Sequence, residues 1–320
     1  MNPNRPGAVQ IGDQRVGVGE RARVALPISR LVTGEWLKLG VEVVHGARPG
    51  PAVWLSGAIH GDELDGIEII RELMAALDPG ELSGTVVGVP VVNVFGFVSE
   101  SRYLPDRRDL NRAFPGSPDG SMAARLAHVF MTEVVERCQV GVDFHCGSDD
   151  RANLPQLRAN LDDPEVLRLA RAFAAPLTIH NRPPEGSLRK AATAAGARTL
   201  VFEAGEAARF TETAIRAGVS GTRRLLKALG MIRDAPRRQG RTREARSTHW
   251  VRAPRSGICR IEVGLGDEVK RGGVLGHVFE ILGEDAVQIR ARRNGVVIGR
   301  RVNPIVYQGE AVVHLATPSE

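Results

Sequence analysis

The sequence predicts an α/β fold followed by a smaller all-β module, and three observations support this division. Short apolar runs that suit buried strands alternate with segments of helical periodicity over residues 52–229. Residues 233–246 are rich in Arg, Pro and Gly and poor in apolar side chains, which is typical of an exposed linker. After Trp250 only short β runs separated by glycine-rich turns remain. We therefore expect a first domain over residues 1–240 and a β-rich second domain over residues 241–320.

The elements of the first domain follow from their hydrophobic periodicity. The runs over residues 52–56 and 85–94 are apolar and β-branched, as in strands that are buried on both faces of a parallel sheet. Residues 65–77 place apolar side chains three and four apart, which predicts an amphipathic helix. We also expect strands over residues 23–28, 36–45, 140–144, 176–180 and 199–203, and helices over residues 122–137, 164–173, 189–195 and 211–229. This alternation predicts a mixed sheet flanked by helices, in which ligands collect beyond the carboxyl ends of strands.

The second domain has no helical periodicity. Its expected strands cover residues 257–263, 274–281, 286–291, 295–298 and 311–315. The glycine-rich turns resemble those of biotinyl and lipoyl carrier half-barrels, but the segment around Arg292 and Arg293 offers no lysine for a carrier group. We therefore expect a structural domain or a lid beside the active site.

Composition narrows the class of protein. Of 320 residues, 42% are hydrophobic and 25% charged, and the longest apolar runs fall short of a membrane span. Residues 1–10 contain no apolar segment of the kind that signal peptides need, so we expect a cytoplasmic protein that does not engage membranes. The three cysteines, Cys138, Cys146 and Cys259, fit reduced thiols, and Cys146 suits a small buried thiol better than a ligand.

The net charge is +6, which could indicate nucleic-acid binding. However, the arginines are spread along the chain, and aromatic residues make up only 4%, too few for a stacking platform. An anionic small-molecule substrate explains the excess positive charge equally well. We therefore expect a small-molecule partner and no nucleic acid, with a homo-oligomer as an open possibility.

A metal site is predicted by two histidines and a glutamate that follow strands. His60 and Glu63 come just after the strand over residues 52–56, and His145 follows the strand over residues 140–144. Two imidazoles and one carboxylate are the ligand set of hydrolytic zinc centres that keep a fourth position for water. Alternatively, His60 and Glu63 alone could be a helix-capping pair, or a histidine satisfied in the core. A candidate general base and several arginines, described below, accompany these three residues and favour a site for one zinc ion per chain.

A polar loop between the second buried strand and the second helix carries the substrate-binding candidates. Arg102 lies at its start, and Asn111 and Arg112 lie further along. A guanidinium binds a carboxylate through two parallel hydrogen bonds, so Asn111 and Arg112 suit an acidic substrate end. Arg102 can instead face an oxyanion that forms at a carbonyl. In isolation these residues would better fit an ordinary surface loop with salt bridges, but the nearby metal motif favours substrate binding.

A hydrolytic metal site also needs a carboxylate that carries protons. Glu203 follows the apolar strand over residues 199–203 and is our candidate, with Glu206 as its rival. Asp143, two residues before His145 on the same strand, either orients a catalytic group or forms hydrogen bonds within the site. Arg189 is a further candidate for contact with the acyl or amino acid part of a substrate.

The order of these motifs resembles that of the succinylglutamate desuccinylase and aspartoacylase family, relatives of the zinc carboxypeptidases. The resemblance covers nearly the full chain and rests on Gly57-x-x-His60-Gly61-x-Glu63, Arg102-Tyr103, Asp109-Leu110-Asn111-Arg112, Asp143-x-His145 and Phe202-Glu203-Ala204-Gly205. It implies a carboxypeptidase-like α/β domain, a β-rich C-terminal domain and hydrolysis of an N-acyl amino acid amide. It implies these roles: zinc ligands His60, Glu63 and His145, catalytic carboxylate Glu203, oxyanion partner Arg102, and carboxylate holders Asn111 and Arg112.

Together these features predict a zinc-dependent deacylase. Zinc-bound water would be the nucleophile, and Glu203 would be the general base and acid. A metallocarboxypeptidase that acts on short peptides would use the same groups. A binding protein that has lost catalysis and senses an acylated metabolite is the alternative of a different class, and the intact motif residues weigh against it. The acyl group and the amino acid are not specified by the sequence.

Overall fold

A computed structural model describes residues 7–148, 150–238, 240–283 and 285–318 of the chain. Its strands are β1 (Val9–Ile11), β2 (Gln14–Val16), β3 (Glu20–Arg30), β4 (Trp36–His45), β5 (Arg48–Ser56), β6 (Ser83–Val89), β7 (Val140–Gly147), β8 (Arg151–Ala159), β9 (Leu177–His180), β10 (Arg198–Glu206), β11 (Arg243–Arg252), β12 (Gly257–Ile261), β13 (Glu268–Val269), β14 (Val274–Phe279), β15 (Ala286–Arg290), β16 (Gly295–Arg301), β17 (Ile305–Val306) and β18 (Ala311–Pro318). Its α-helices are α1 (Asp65–Ala76), α2 (Val94–Val98), α3 (Met122–Glu133), α4 (Pro164–Phe173), α5 (Leu188–Ala194) and α6 (Glu212–Ala228). Short 3₁₀ turns cover Leu110–Arg112 and Val135–Arg137.

A mixed sheet of twelve strands forms the centre of the described structure. Its order is β13-β16-β18-β11-β9-β8-β10-β7-β5-β6-β4-β3. The central strands β6, β5, β7 and β10 pair in parallel, whereas β8 runs antiparallel to β10. The prediction of an α/β fold with a mixed sheet and flanking helices is confirmed.

Neighbouring residues of one strand supply two separate cores, one on each face of the sheet. Trp54 of β5 packs in a cluster that includes Phe130 of α3 and Leu188 of α5. Its neighbour Leu55 belongs to the cluster formed with helices α1, α4 and α6, which includes Phe173. Successive side chains of a strand point to opposite faces, so an uninterrupted apolar strand requires helices on both sides.

Several helix ends match their local sequence. Asp163 accepts hydrogen bonds from the backbone of Glu165 and Val166, and Pro164 occupies the first turn of α4, where no backbone donor is needed. Ser121 caps α3 in the same way by accepting from Ala124. These caps fix where the helices begin.

The structure differs from the predicted elements at several places, and the short strands β1, β2, β13 and β17 were also not predicted. The expected strand over residues 85–94 ends at Val89 and is followed by α2. The expected helix over residues 122–137 ends at Glu133 and continues as a 3₁₀ turn. Strand β8 was not predicted, because Pro155 lies in its middle and proline is uncommon inside paired strands.

Strands from both sides of residue 240 share the large sheet. Strand β11 begins at Arg243, within the expected linker, and pairs in parallel with β9. Strand β16 pairs with β8. The remaining C-terminal strands form a separate four-stranded sheet in the order β15-β14-β12-β17. We call residues 241–320 the C-terminal module, and the domain boundary itself stays a prediction.

Among the described residues, no helix is long and apolar enough to cross a membrane. The three cysteines are free and buried, as expected. The cytoplasmic location and the possible homo-oligomer stay predictions.

Candidate active site

The predicted metal ligands and the candidate base lie near the carboxyl ends of adjacent parallel strands. Ser56 at the end of β5 pairs with Asp143 of β7, and His145 of β7 pairs with Glu203 of β10. Because paired residues point to the same face, Asp143, His145 and Glu203 lie on one side of the sheet. The loop after β5 brings His60 to the same place.

Glycine at position 61 allows this loop to approach α2 closely. A Cβ atom at Gly61 would lie 1.9 Å from the backbone carbon of Gly96 and 2.2 Å from the amide nitrogen of Phe97. Only a residue without a side chain can occupy this position unless the backbone shifts. The contact fixes the residue next to His60 against a neighbouring element.

Three buried side chains converge in the way that a metal ion requires. His60 Nδ1 lies 2.7 Å from Glu63 Oε1, and His145 Nδ1 lies 2.8 Å from Glu63 Oε2. One ligand atom from each residue lies within 4.8 Å of the others, and all three side chains are buried. The sequence prediction required this convergence. The two nitrogens and one carboxylate oxygen could hold a metal ion, and their role as ligands stays a prediction.

Each histidine also contacts a second carboxylate through its other ring nitrogen. His145 Nε2 lies 2.8 Å from Asp143 Oδ2, and Ser56 donates to the other oxygen of Asp143 at 2.6 Å. His60 Nε2 lies 3.3 Å from Asp109 Oδ1. Metal-binding histidines in proteins are usually oriented by such a contact, which leaves the inner nitrogen free for the ion. This arrangement fits a metal ligand set better than an ordinary core histidine.

The ligand cluster is electrostatically coupled. Burial lowers the pKa of His145, but Asp143 and Glu63 outweigh it, so the pKa is raised well above its usual range. Burial likewise opposes the rise in the pKa of His60, which Glu63 and Asp109 cause. Burial raises the pKa of Glu63, yet the two histidines hold it well below its usual range.

Arg102 lies at the rim of this cluster. Its guanidinium donates to Ser148 Oγ at 2.6 Å and to Asp109 Oδ2 at 2.9 Å. Arg102 Nη1 lies 3.7 Å from Glu63 Oε1, and Ser148 donates to the same Glu63 oxygen at 3.0 Å. The predicted oxyanion partner therefore adjoins the three candidate metal ligands.

Asn111 and Arg112 lie on another wall of the same cavity. Asn111 Oδ1 accepts a hydrogen bond from the backbone of Leu188 at 2.9 Å, which fixes the side chain against α5. Arg112 donates to the carbonyl of Asn111 and is exposed. The structure brings both residues to the cavity that His60, Glu63 and His145 also line.

Glu203 borders the cavity and is held by strand β8. Asn153 Nδ2 donates to Glu203 Oε2 at 3.0 Å, and Arg158 Nε lies 3.4 Å from Glu203 Oε1. The rival Glu206 lines a different cavity, beside Cys259. The geometry therefore favours Glu203 as the carboxylate that faces a substrate.

Arg189 is a buried cation that lines the cavity. Its Nη2 donates to the backbone oxygen of Asn181 at 3.1 Å and to the side-chain oxygen of the same residue. Its Nη1 has no hydrogen-bond partner among the described residues. Burial, together with Arg158, lowers the pKa of Arg189 to about 10, so the side chain is still charged at neutral pH. A free donor on a buried cation suits an anionic part of a substrate.

The cavity measures about 230 Å³ and includes residues that the sequence patterns did not single out. They include Ser148, Arg151, Asn153 and Arg158 and, from the C-terminal module, Trp250. Three of them belong to the unpredicted strand β8. The strand carries no motif, and only its place beside β10 brings these side chains into the site.

Comparison with known proteins places this site in context. Residues 49–229 match the family model described as the succinylglutamate desuccinylase/aspartoacylase catalytic domain. The chain is 29% identical to an N-alpha-acetyl-L-2,4-diaminobutyric acid deacetylase of Halomonas elongata, over 83% of this chain and 82% of that protein.

Solved structures agree with this match. The structure of a succinylglutamate desuccinylase/aspartoacylase from Rhodobacter sphaeroides aligns with a TM-score of 0.84 and 27% identity, covering 100% of this chain and 98% of that chain. A succinylglutamate desuccinylase from Silicibacter sp. TM1040 aligns with a TM-score of 0.84 and 26% identity, covering all of both chains.

Proposed function

The chain belongs to the succinylglutamate desuccinylase/aspartoacylase family, and on that premise we propose that it is a zinc-dependent hydrolase of the amide bond in N-acyl amino acids. The observation that carries the proposal is the convergence of His60, Glu63 and His145 beside a cavity lined by a carboxylate and arginines. Deacylation is the named activity of the Halomonas elongata relative.

The donor set fits zinc. Two imidazole nitrogens and a carboxylate oxygen are ligands that catalytic zinc sites use, and three protein ligands leave a position for water. The carboxylates of Asp143 and Asp109 behind the imidazoles match the outer contacts that such sites usually have. When bound, zinc would lower the pKa of water and polarise the amide carbonyl.

Glu203 would carry the protons of the reaction. It accepts a proton from the attacking water and returns it to the nitrogen of the breaking amide bond, because an amine anion is a very poor leaving group. Its side chain lines the same cavity as His60, Glu63 and His145, as this role requires.

The arginines of the cavity would bind the rest of the substrate. Arg102, next to the metal cluster, would stabilise negative charge that develops on the carbonyl oxygen. Asn111 and Arg112 would hold a carboxylate, and Arg189 offers a further cationic contact. Among the described residues, the lining contains five arginines and three carboxylates, namely Arg102, Arg112, Arg151, Arg158, Arg189, Glu63, Asp143 and Glu203. We therefore infer that the substrate derives from an acidic or polar amino acid.

Replacing Glu203 by glutamine tests this mechanism. The variant keeps the size of the side chain but cannot accept a proton, so we expect turnover to fall by roughly 10²- to 10⁴-fold while bound zinc is retained. The measurement is hydrolysis of a panel of N-acetyl and N-succinyl amino acids, alongside metal analysis of the purified protein.

Two controls make the outcome decisive. Glu206→Gln, in the neighbouring cavity, is expected to keep wild-type turnover. Dipeptides belong in the panel, with and without a chelator, because a carboxypeptidase would prefer them. Near wild-type rates for Glu203→Gln, or hydrolysis of dipeptides alone, would refute the proposal.

A further inference from the structure

Both oxygens of the Glu203 carboxylate face side chains from one strand, one oxygen through a hydrogen bond and the other through an ion pair. Asn153 donates to Oε2 at 3.0 Å, and Arg158 lies 3.4 Å from Oε1. Asn153 is only 8% exposed, so its amide is protected from water that would compete for this hydrogen bond. A glutamate has three rotatable side-chain bonds, and these two contacts restrict which way its oxygens point.

The pairing of strands explains why these two residues reach Glu203. Arg158 pairs with Val201, and Asn153 pairs with Gly205, so they flank Glu203 from either end along β10. The register shifts between Glu203 and Gly205, and this irregularity brings Asn153 towards the glutamate.

On its other side, strand β8 pairs at Asn153 with strand β16 of the C-terminal module. Gly299 of β16 pairs with Asn153, and a Cβ atom at Gly299 would lie 2.9 Å from Asn153 Oδ1. The neighbouring Gln156 donates to the carbonyl of Ile298 at 3.3 Å. The amide of Asn153 is therefore confined between Glu203 on one side and the backbone of the module on the other.

We propose that Asn153, backed by Gly299 of the C-terminal module, is a positioning residue that fixes the orientation of the Glu203 carboxylate. The module thereby takes part in catalysis although its strands carry no catalytic residue in this scheme. The inference rests on the proposed function, in which Glu203 transfers protons. Correct orientation of a reacting group contributes to the rate even when that group's chemistry is unchanged.

An isosteric change separates hydrogen-bond donation from packing. Asn153→Asp keeps the shape of the side chain but replaces the donor by a carboxylate oxygen, which repels Glu203 at pH 8. We expect kcat to fall roughly 10- to 100-fold with KM and zinc content nearly unchanged. Asn153→Ala should lose kcat to a similar extent. Asn160→Ala, at an exposed asparagine just after the same strand, is the matched control and should keep the wild-type kcat.

A double-mutant cycle shows whether Asn153 acts through Glu203. In the Glu203→Gln background we expect Asn153→Ala to lower the residual kcat by less than about twofold, because the group that it orients is already inactive. A full additional 10- to 100-fold loss would overturn the proposal, since Asn153 would then act independently of Glu203.

Gly299→Ala tests the contribution of the module. The added methyl group must displace the Asn153 amide, so we expect kcat to fall about tenfold while KM and zinc content hold. Gly40→Ala in β4, where an added Cβ has nothing within 4 Å, is the matched control for the glycine change itself. Equal kcat for Gly299→Ala and wild type would remove the module from the proposal.

The failures of the two proposals are distinguishable. If Glu203→Gln hydrolyses substrate at the wild-type rate, the proposed function fails. If Glu203→Gln is inactive but Asn153→Asp keeps its kcat, the proposed function stands and the positioning role is wrong.

Discussion

Two pairs of histidines in this molecule sit in opposite electrostatic surroundings. His60 and His145 of the candidate active site contact carboxylates through both ring nitrogens, and their pKa values are raised. His249 and His314 of the C-terminal module lie near arginines, and their pKa values are lowered, chiefly by burial.

The difference shows what distinguishes a candidate metal ligand from a core histidine. Burial is common to His145 and His314, so burial alone does not identify a site. What differs is the number of carboxylates that converge on the ring and the presence of a second imidazole beside them. His314 instead stacks on Trp250 at a centroid distance of 4.2 Å, as a neutral aromatic ring does.

Removal of one ligand from the active site should have the largest effect. In His145→Ala we expect bound zinc to be lost and turnover to fall more than about 10³-fold, because two remaining ligands hold the ion weakly. In His249→Ala we expect the zinc content of the wild type. Metal analysis after dialysis, together with kcat/KM, measures both. One zinc ion per chain in purified His145→Ala would show that His145 is not needed to hold the metal and does not differ from His249 in this respect.

The pH dependence of protein stability should show whether His314 of the C-terminal module is buried as a neutral ring. Burial, with Arg158 and other nearby charges, lowers the pKa of His314 to about 3 from an ordinary 6.5. Between these values the unfolded chain binds the extra proton, so stability is complete above pH 6.5 and falls as the pH falls towards 3. The loss from this residue between pH 8 and pH 5 should be about 2 kcal/mol.

His314→Phe, which keeps an uncharged ring beside Trp250, should remove that part of the pH dependence. The measurement is the free energy of unfolding in denaturant at pH 8 and pH 5 for the variant and the wild type. An unchanged difference between the two pH values would show that His314 is not buried in neutral form.

The contrast also shows how far sequence reaches. His60, Glu63 and His145 were predictable because each lies near or just after the end of an apolar strand, and the carboxyl ends of parallel strands meet at one edge of the sheet. Ser148 and Asn153 were not, since neither belongs to a recognised spacing. The contribution of Asn153 depends on pairing with strands about 50 residues and about 146 residues further along the chain. The residue pattern within one segment does not predict pairing with strands so distant in the sequence.

Replacing a carboxylate behind a histidine of the site should have an intermediate effect on zinc affinity. Asp143→Asn preserves the shape beside His145 but removes the charge that orients the ring, so zinc affinity should fall about 10- to 100-fold. Competition with a chelating dye measures the affinity directly. Asp162→Asn, at an exposed aspartate that lies 3.6 Å from His180 Nε2, is the control and should leave zinc affinity unchanged. Equal affinities for Asp143→Asn and wild type would show that the carboxylate behind His145 is not needed to hold the ion.

The smallest effect is expected for a histidine and carboxylate pair that lacks burial. His277 Nδ1 lies 2.9 Å from Glu262 Oε1 in the C-terminal module, nearly as close as the 2.7 Å and 2.8 Å at which His60 Nδ1 and His145 Nδ1 lie from Glu63. However, Glu262 is 45% exposed, and no third ligand joins the pair among the described residues. His277→Ala should therefore change the free energy of unfolding by less than about 0.5 kcal/mol and leave the zinc content unchanged. A second zinc equivalent in the wild type that this variant loses would show that contact geometry suffices, and that burial and a third ligand are unnecessary.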